Sequence, residues 1–355
     1  MKKEQLQYPP LPAKVTGRLL RWYDAHRRSL PWRESADPYR VWVSEIMLQQ
    51  TRVAAVLPYY RQWMEELPDV AALAAVEEDR LMKLWEGLGY YSRARNLQRA
   101  AKVIMKDHGG RFPDTFEGLR ALPGIGDYTA GAVASIAFGR QVPAVDGNVL
   151  RIAARLSASG EDILSPGGRR MFTAMVADLV PPDRPGDFNQ ALMDLGATVC
   201  LPNGQPDCES CPLAALCAAH AAGRETEFPV KRKKAERRQE ELTVYVLLRE
   251  GKVALRRRED RGLLAGLWEF PHCPGTLSEE EAAAPLAAWG LTPVQWRQKA
   301  AARHIFTHVE WRMTGYVLEV RGEGSGLTWA GPEELERYAV PSAFGKYWKM
   351  AKEAL

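Results

Sequence analysis

The residues with the clearest capacity for chemistry are four closely set cysteines, Cys200-x7-Cys208-x2-Cys211-x5-Cys217. Four thiolates at this spacing can wrap one [4Fe–4S] cube, since soft sulfur ligands suit iron–sulfur centres, or close a tetrahedral zinc site. Spacing alone leaves the two metals level. Upstream, Leu122-Pro123-Gly124-Ile125-Gly126 lies between two helical stretches, where Gly124 and Gly126 let the backbone turn tightly and approach another chain without a Cβ. Amides opening the next helix can then hold a phosphate oxygen. Twenty residues past Gly126, Asp146 of Val145-Asp146-Gly147-Asn148-Val149 precedes another helix. Taken alone, that aspartate is a helix N-cap.

The elements that must position these groups are mostly helical from residue 15 to about 220. Asp37-Pro38 reads as an N-cap with proline at the first helical position, opening a helix over Tyr39 to Gln49. Thr51 caps a helix from Arg52 to Glu66, and Ser92 caps one towards Asp107. Ala71, Leu73, Val76, Leu81, Leu84 and Trp85 suit one more packed helical face. Between 226 and 240 the chain is polar and densely charged, which reads as a linker. Its Lys231, Arg232, Lys233, Lys234, Arg237 and Arg238 either sit on a solvated tether or run along a phosphate backbone. Beyond it, LTVYVLL and KVALRRR flank Glu250-Gly251 as a hairpin, followed by a helix over EEEAAAPLAAW and a strand over MTGYVLEV. That mixture makes an α+β domain over 241–355.

Composition sets the limits. At 355 residues two folding units are the natural expectation, and a net charge of +4 permits a polyanionic partner without demanding one. The opening MKKEQLQYPPLP has no signal-peptide core, and no run of about 18 apolar residues occurs. The expected setting is cytoplasmic, without a membrane. In that setting clustered cysteines hold metal more often than disulfides, and Cys273 stands apart from the cluster.

LPGIG, a helix, VDGNV and then the cysteines, in that order over about 200 residues, resemble the helix-hairpin-helix DNA glycosylases of the endonuclease III superfamily. The resemblance implies a mostly α glycosylase domain over 1–225 whose cysteine loop binds [4Fe–4S]. The first gap, LPNGQPD, is seven residues where that family usually has six. Tyr128 stands where bifunctional relatives carry a lysine, so strand cleavage by β-elimination is not expected. Ser44 to Thr51 (SEIMLQQT), Leu30-Pro31-Trp32-Arg33, Gly87 to Leu97 (GLGYYSRARNL) and Phe188 to Gly196 (FNQALMDLG) are similar to signatures of the MutY adenine glycosylases. The carboxy-terminal part resembles their Nudix/MutT-like domain, but after Phe270-Pro271 it lacks the Arg-Glu-x-x-Glu-Glu helix, so it should bind rather than hydrolyse.

By this resemblance Glu45 is the acid that protonates adenine at N7, its pKa raised by apolar neighbours such as Trp32 and Leu48. Asp146 is the ionised partner that stabilises the cationic sugar or bonds to it transiently, and Tyr128 and Asn148 orient the pair, the tyrosine near Asp146. The target base must leave the stack. Gln50 and Tyr90 would fill the vacated space, while Arg28, Arg33 and Gln190 line the adenine pocket. Ser92, Arg93 and Arg95 are plainer candidates for backbone or capping contacts. Phe306-Thr307-His308 matches the motif by which the family senses 8-oxoguanine. The implied partner is double-stranded DNA with 8-oxoguanine:adenine or guanine:adenine mispairs, met by a monomer at the bacterial nucleoid. An endonuclease III-type pyrimidine glycosylase and a catalytically silent iron–sulfur DNA-binding protein are the alternatives.

Overall fold

The computed structural model describes residues 8–232 and 237–355. They form two compact units: residues within 1–75 and 96–233 make the first, and 76–95 with those within 234–355 make the second. The segment 76–95 thus groups with the later part of the chain, whereas the sequence reading keeps it in the domain over 1–225. No helix among the described residues is long and apolar enough to cross a membrane.

The first unit opens with α1 (Lys14–His26), α2 (Pro38–Leu48), α3 (Val53–Glu66) and α4 (Val70–Ala75). After α5 (Glu78–Leu84), α6 (Ser92–Asp107) leads back into it, followed by α7 (Phe116–Arg120), α8 (Asp127–Phe138), α9 (Gly147–Ser157), α10 (Pro166–Ala177), α11 (Pro185–Thr198) and α12 (Ala218–Ala221). Asp37 caps α2 by accepting from the Arg40 amide, with Pro38 at the first turn. Thr51 is not the cap of α3: that position is Arg52, without a side-chain bond, and the Thr51 hydroxyl turns back to the Gln49 carbonyl. The single helical face expected over Ala71 to Trp85 is two short helices, α4 and α5, because Glu77 adopts extended dihedrals between them. Val15, Leu19, Val149, Ile152, Phe172, Phe188 and Leu192 form the core between α1, α9, α10 and α11.

The expected helix–hairpin–helix is α7, Leu122 to Gly126, and α8. Gly124 has φ +74°, and a Cβ there would collide with the Asn96 side chain. Gly126 caps α8 without a side-chain bond and faces open space.

The charged segment over 226–240 is not simply a tether. Phe228 is buried, and the Val230 carbonyl accepts from the Ile163 amide. Strand β1 (Arg238–Arg249) already starts inside it, because Arg238 to Glu240 pair with Val309 to Trp311. Lys233 and Lys234 lie outside the described residues.

The second unit continues with β2 (Lys252–Arg257), β3 (Trp268–Glu269), β4 (His272–Pro274), α13 (Glu279–Ala288), β5 (Thr292–Ile305), β6 (Val309–Arg321), β7 (Thr328–Ala330), α14 (Pro332–Leu335) and α15 (Gly345–Ala354). The sheet order is β3-β2-β1-β6-β5, with β1 and β6 parallel and the other pairs antiparallel. The run LTVYVLL is apolar throughout because β1 is covered on both faces. Val244, Val246 and Leu248 pack towards Phe344 and Tyr347, while Tyr245 and Leu247 pack towards Ala282 and Leu286 of α13. Glu250 (φ +50°) and Gly251 (φ +70°) make the expected hairpin turn. β5 was not legible: KAAAR favours helix, and the long antiparallel pairing of this fourteen-residue strand with β6 overrides that preference.

Gly131 of α8 sets the distance between that helix and the segment leading to Asp146, since a Cβ there would strike the Pro143 carbonyl oxygen. Gly131→Ala is expected to destabilise the protein by about 2 kcal/mol. Unfolding by denaturant measures this, and wild-type stability would show that the close approach does not matter.

Candidate active site

Helix α2 is buried on nearly every side: Tyr39 and each residue from Val41 to Met47 lie inside. Glu45 is therefore no surface carboxylate but a buried acid, 6% exposed. α2 packs on α8, which carries Tyr128 in its first turn just beyond the hairpin. The Tyr128 hydroxyl donates a short hydrogen bond to Glu45 Oε2. Tyr128 does lie near Asp146, whose charge acts on it, but its hydrogen-bond partner is Glu45. Burial, aided by the Asp146 charge and opposed by Tyr128 and Arg33, raises the Glu45 pKa to about 7.

Asp146 is indeed the N-cap of α9, and the cap defines its chemistry. Its Oδ1 accepts from the Asn148 and Val149 amides, both at 2.8 Å, and its Oδ2 accepts from Asn148 Nδ2 at 2.8 Å. Burial raises its pKa too, but these three donors and the Arg151 charge act against it. Oδ2 carries one of these bonds and Oδ1 the other two.

A cavity of about 1190 Å³ lies wholly within the first unit. Glu45, Tyr128, Asp146 and Asn148 line it, together with Arg28, Trp32, Arg33, Leu48, Gln50 and Gln190. Gln50 is exposed with φ +61°, a left-handed backbone uncommon for a residue with a side chain. Arg28 and Arg33 do line the pocket, but both are anchored on Asp194, which is 1% exposed. Arg28 Nε donates to Asp194 Oδ1 at 2.7 Å, and Arg33 forks onto both oxygens at 2.7 and 2.9 Å. Although burial opposes it, the two guanidinium groups hold Asp194 below the usual carboxylate range.

Four supporting residues were missed. Asp194 and Asn189 sit in the FNQALMDLG run, where the sequence reading gives them no separate role. Fully buried Asn189 accepts from the Ala144 amide at 3.0 Å and donates to the Val142 carbonyl at 2.9 Å, fixing the segment that delivers Asp146. Arg151 donates to Asn148 Oδ1 at 3.0 Å and to the Gly196 and Cys200 carbonyls at 2.8 and 2.9 Å. Its position three residues after Asn148, one helical turn on, was the available signal. Gly196 leaves the room in which Asn148 and Arg151 pack.

The four clustered cysteines converge at the end of the same unit, and Cys200, Cys211 and Cys217 pack against its core. Arg155 donates to Cys200 Sγ at 3.2 Å. Burial and the neighbouring thiols push Cys211 up to about 11; at Cys208 burial, Glu225 and the other three thiols do the same. Backbone amides of Leu213, Ala214, Ala219 and His220 point at the sulfurs of Cys211 and Cys217. Partly buried thiols brought together and ringed by N–H donors can hold a metal centre. Ligand atoms of Cys208, His220 and Glu225 also lie within 4.8 Å of one another.

In the second unit, Phe306, Thr307 and His308 form the turn between β5 and β6, closed by the Phe306 amide on the Val309 carbonyl at 2.8 Å. The Phe306 ring meets Trp311 edge-on at 4.9 Å. Tyr90 belongs to this unit, is 47% exposed, and has φ +47°. Arg93 places its guanidinium over the Tyr90 and Trp85 rings and donates to the Leu88 and Gly89 carbonyls. Arg95 pairs with Glu78 at 2.8 Å.

Residues 43–170 match the HhH-GPD superfamily of base excision DNA repair proteins, and residues 243–350 match the NUDIX domain. A thermostable thymine-DNA glycosylase superposes with a TM-score of 0.53 at 29% identity, covering 59% of this chain and 97% of that one. A non-covalent endonuclease III–DNA complex has a TM-score of 0.50 at 22% identity over 60% and 98% of the two chains, and so shares the fold. The adenine DNA glycosylase of Arabidopsis thaliana is 42% identical over 73% of this chain and 47% of its own length. That of Homo sapiens is 36% identical over 95% of this chain and 74% of its own length. The chain belongs to the adenine DNA glycosylase family.

Proposed function

We propose that this protein removes adenine from DNA where it lies opposite 8-oxoguanine or guanine, leaving the phosphodiester backbone intact. The observation that carries this is the pair of buried acids on one cavity, Glu45 raised to about 7 and Asp146 held by three N–H donors.

Adenine leaves readily only when its ring is protonated, and the sugar then passes through an oxocarbenium-like state. Neutral Glu45 delivers its proton to adenine N7. The bonding pair of the C1′–N9 bond departs with the base, and positive charge develops on the sugar. Asp146 Oδ2 faces that charge as a carboxylate, stabilising it directly or through a transient C1′–O bond. Glu45, now ionised and held by the Tyr128 hydroxyl, takes a proton from the water that attacks C1′. The products are adenine and an abasic site. Tyr128 has no amine to form a Schiff base, so no elimination follows. The extruded base fills the cavity beside Gln190 and the Arg28–Asp194–Arg33 cluster, and Gln50 occupies the space it leaves.

Cys200, Cys208, Cys211 and Cys217 would hold a [4Fe–4S] cluster, which would cross-link the segment from α11 to α12. Thr307 would contact the altered edge of 8-oxoguanine. The protein acts as a monomer in the cytoplasm.

A labelled 8-oxoguanine:adenine duplex is expected to lose adenine, with strand breaks only after alkali. Breaks without alkali, or release of oxidised pyrimidines instead, would overturn the reading. Asp146→Asn should lower the single-turnover rate by at least about 100-fold while duplex affinity stays within a few-fold; near-normal turnover would remove Asp146 from its role.

Because the protonated form of Glu45 acts, the rate should fall above pH about 7, tenfold per unit. Tyr128 stabilises the ionised form, so Tyr128→Phe should move that limb upward by roughly one pH unit. A pH–rate profile checks both, and a limb unmoved in the variant would separate Tyr128 from the acid. Anaerobically purified protein is expected to carry four irons per chain with visible charge-transfer absorption, and zinc at one per chain would assign the cysteines differently.

A further inference from the structure

Arg33 has two carboxyl groups within its influence. It lines the cavity together with Glu45, yet both of its terminal nitrogens are engaged elsewhere. Nη1 donates to Asp194 Oδ2 at 2.7 Å and Nη2 to Asp194 Oδ1 at 2.9 Å. The Asp194 carboxylate is saturated by its arginines. Besides the Arg33 fork, Oδ1 accepts from Arg28 Nε at 2.7 Å with Arg28 Nη2 at 2.6 Å, and Oδ2 accepts from the Arg28 amide at 3.3 Å. Burial works against this charge, but the Arg33 and Arg28 guanidinium groups hold Asp194 below the usual carboxylate range. It therefore stays ionised wherever Glu45 titrates. Asp194 is fully buried and does not itself line the cavity, so it acts there only through the groups it holds.

A guanidinium forks onto a carboxylate within reach, and the attraction is stronger inside a protein than in water. A pair between Arg33 and Glu45 needs Glu45 ionised, which removes the proton that adenine requires. Burial raises the Glu45 pKa to about 7; Tyr128 of α8 and Arg33 pull it down, and Asp146 at the start of α9 adds to the rise. Arg52 at the N-cap of α3 and Arg169 of α10 line the same cavity but are exposed, where water screens their charge. Arg28 shares the Asp194 carboxylate. The placement of Arg33 is what decides whether a full cation meets Glu45.

We infer that Asp194 is a positioning residue for adenine release: it occupies the Arg33 fork and so keeps that guanidinium from pairing with Glu45. Asp194 is the fixed counterion, and Glu45 is the carboxyl group left with its proton. This deepens the proposed reading of Glu45 as the acid and rests on it.

The test is the pH dependence of single-turnover adenine release from an 8-oxoguanine:adenine duplex, since the position of a limb does not depend on how much of a preparation is active. Asp194→Asn keeps the shape of the side chain but removes its charge and sets an N–H group against the guanidinium, which frees the fork. Its alkaline limb is expected about one pH unit below that of wild type, so that relative to the plateau the rate at pH 8 falls about tenfold further. Asp194→Glu, which restores the charge, should bring the limb back towards wild type. In an Arg33→Met background Asp194→Asn should leave the limb where Arg33→Met alone puts it. Arg33→Met by itself should raise the limb by less than about half a unit, because Asp194 already holds that charge. A rise of two units would show Arg33 unrestrained and overturn the inference even if Asp194→Asn does not fold. Rates lowered equally at every pH by Asp194→Asn would mean a structural anchor and also overturn it. So would the same downward shift in both backgrounds, which would mean that the Asp194 charge acts on Glu45 directly. A wild-type rate with no alkaline limb near pH 7 would instead defeat the reading of Glu45 as the acid, and this inference with it.

Discussion

Removing a carboxyl group from water disfavours its charge, and the first unit depends on applying that penalty to two acids with different compensation. Glu45 gains one phenolic donor and keeps a pKa near neutrality. Asp146 gains two backbone amides and a side-chain amide, which stabilise its anion. One cavity wall thus carries two carboxyl groups in different environments. The N-terminus of α9 supplies one, and the interior of α2 supplies the other. Geometry that serves an ordinary helix cap is here the source of a stabilised negative charge beside the cavity.

The other constraints keep that contrast in place. Asn189 fixes the backbone before Asp146, Gly131 lets α8 approach it, and Arg151 bonds Asn148, which bonds Asp146 in turn. Arg151 also grips the Cys200 carbonyl, so the cap and the cysteine segment share one guanidinium. Asp194 works on the other wall: it binds Arg28 and Arg33 together and thereby limits how far their charge can draw the Glu45 proton away. With Arg33 free, its full positive charge would favour ionised Glu45 and lower its pKa.

Much of this was legible because the chemistry sits in contiguous runs. SEIMLQQT placed Glu45, VDGNV placed Asp146 and Asn148, and LPGIG placed the hairpin together with Tyr128. What escaped was pairing across the fold. Nothing local to Tyr128 shows that its partner is Glu45, 83 residues away, rather than Asp146. Asp194 looked like one more residue of a helix until α11 brought it to Arg28 and Arg33. β5 was hidden for a different reason: its alanines and charges suit a helix, and only the neighbouring β6 makes them a strand. The grouping of 76–95 with the later unit had no local signal either, since it follows from contacts made far along the chain.

The acidic side chains of the Nudix-type second unit are engaged in its own structure. Phosphoanhydride cleavage asks several carboxylates to converge on metal ions. In α13 the residues Glu279, Glu280 and Glu281 instead point into solvent at the helix start, and Glu281 is engaged in a capping box with Ser278. Buried Glu269 is tied to Arg256 and Arg258, which makes it a structural ion pair rather than a metal ligand. Among the described residues of this unit no three acidic, histidine or cysteine side chains converge as ligands. The sheet itself is packed on both faces.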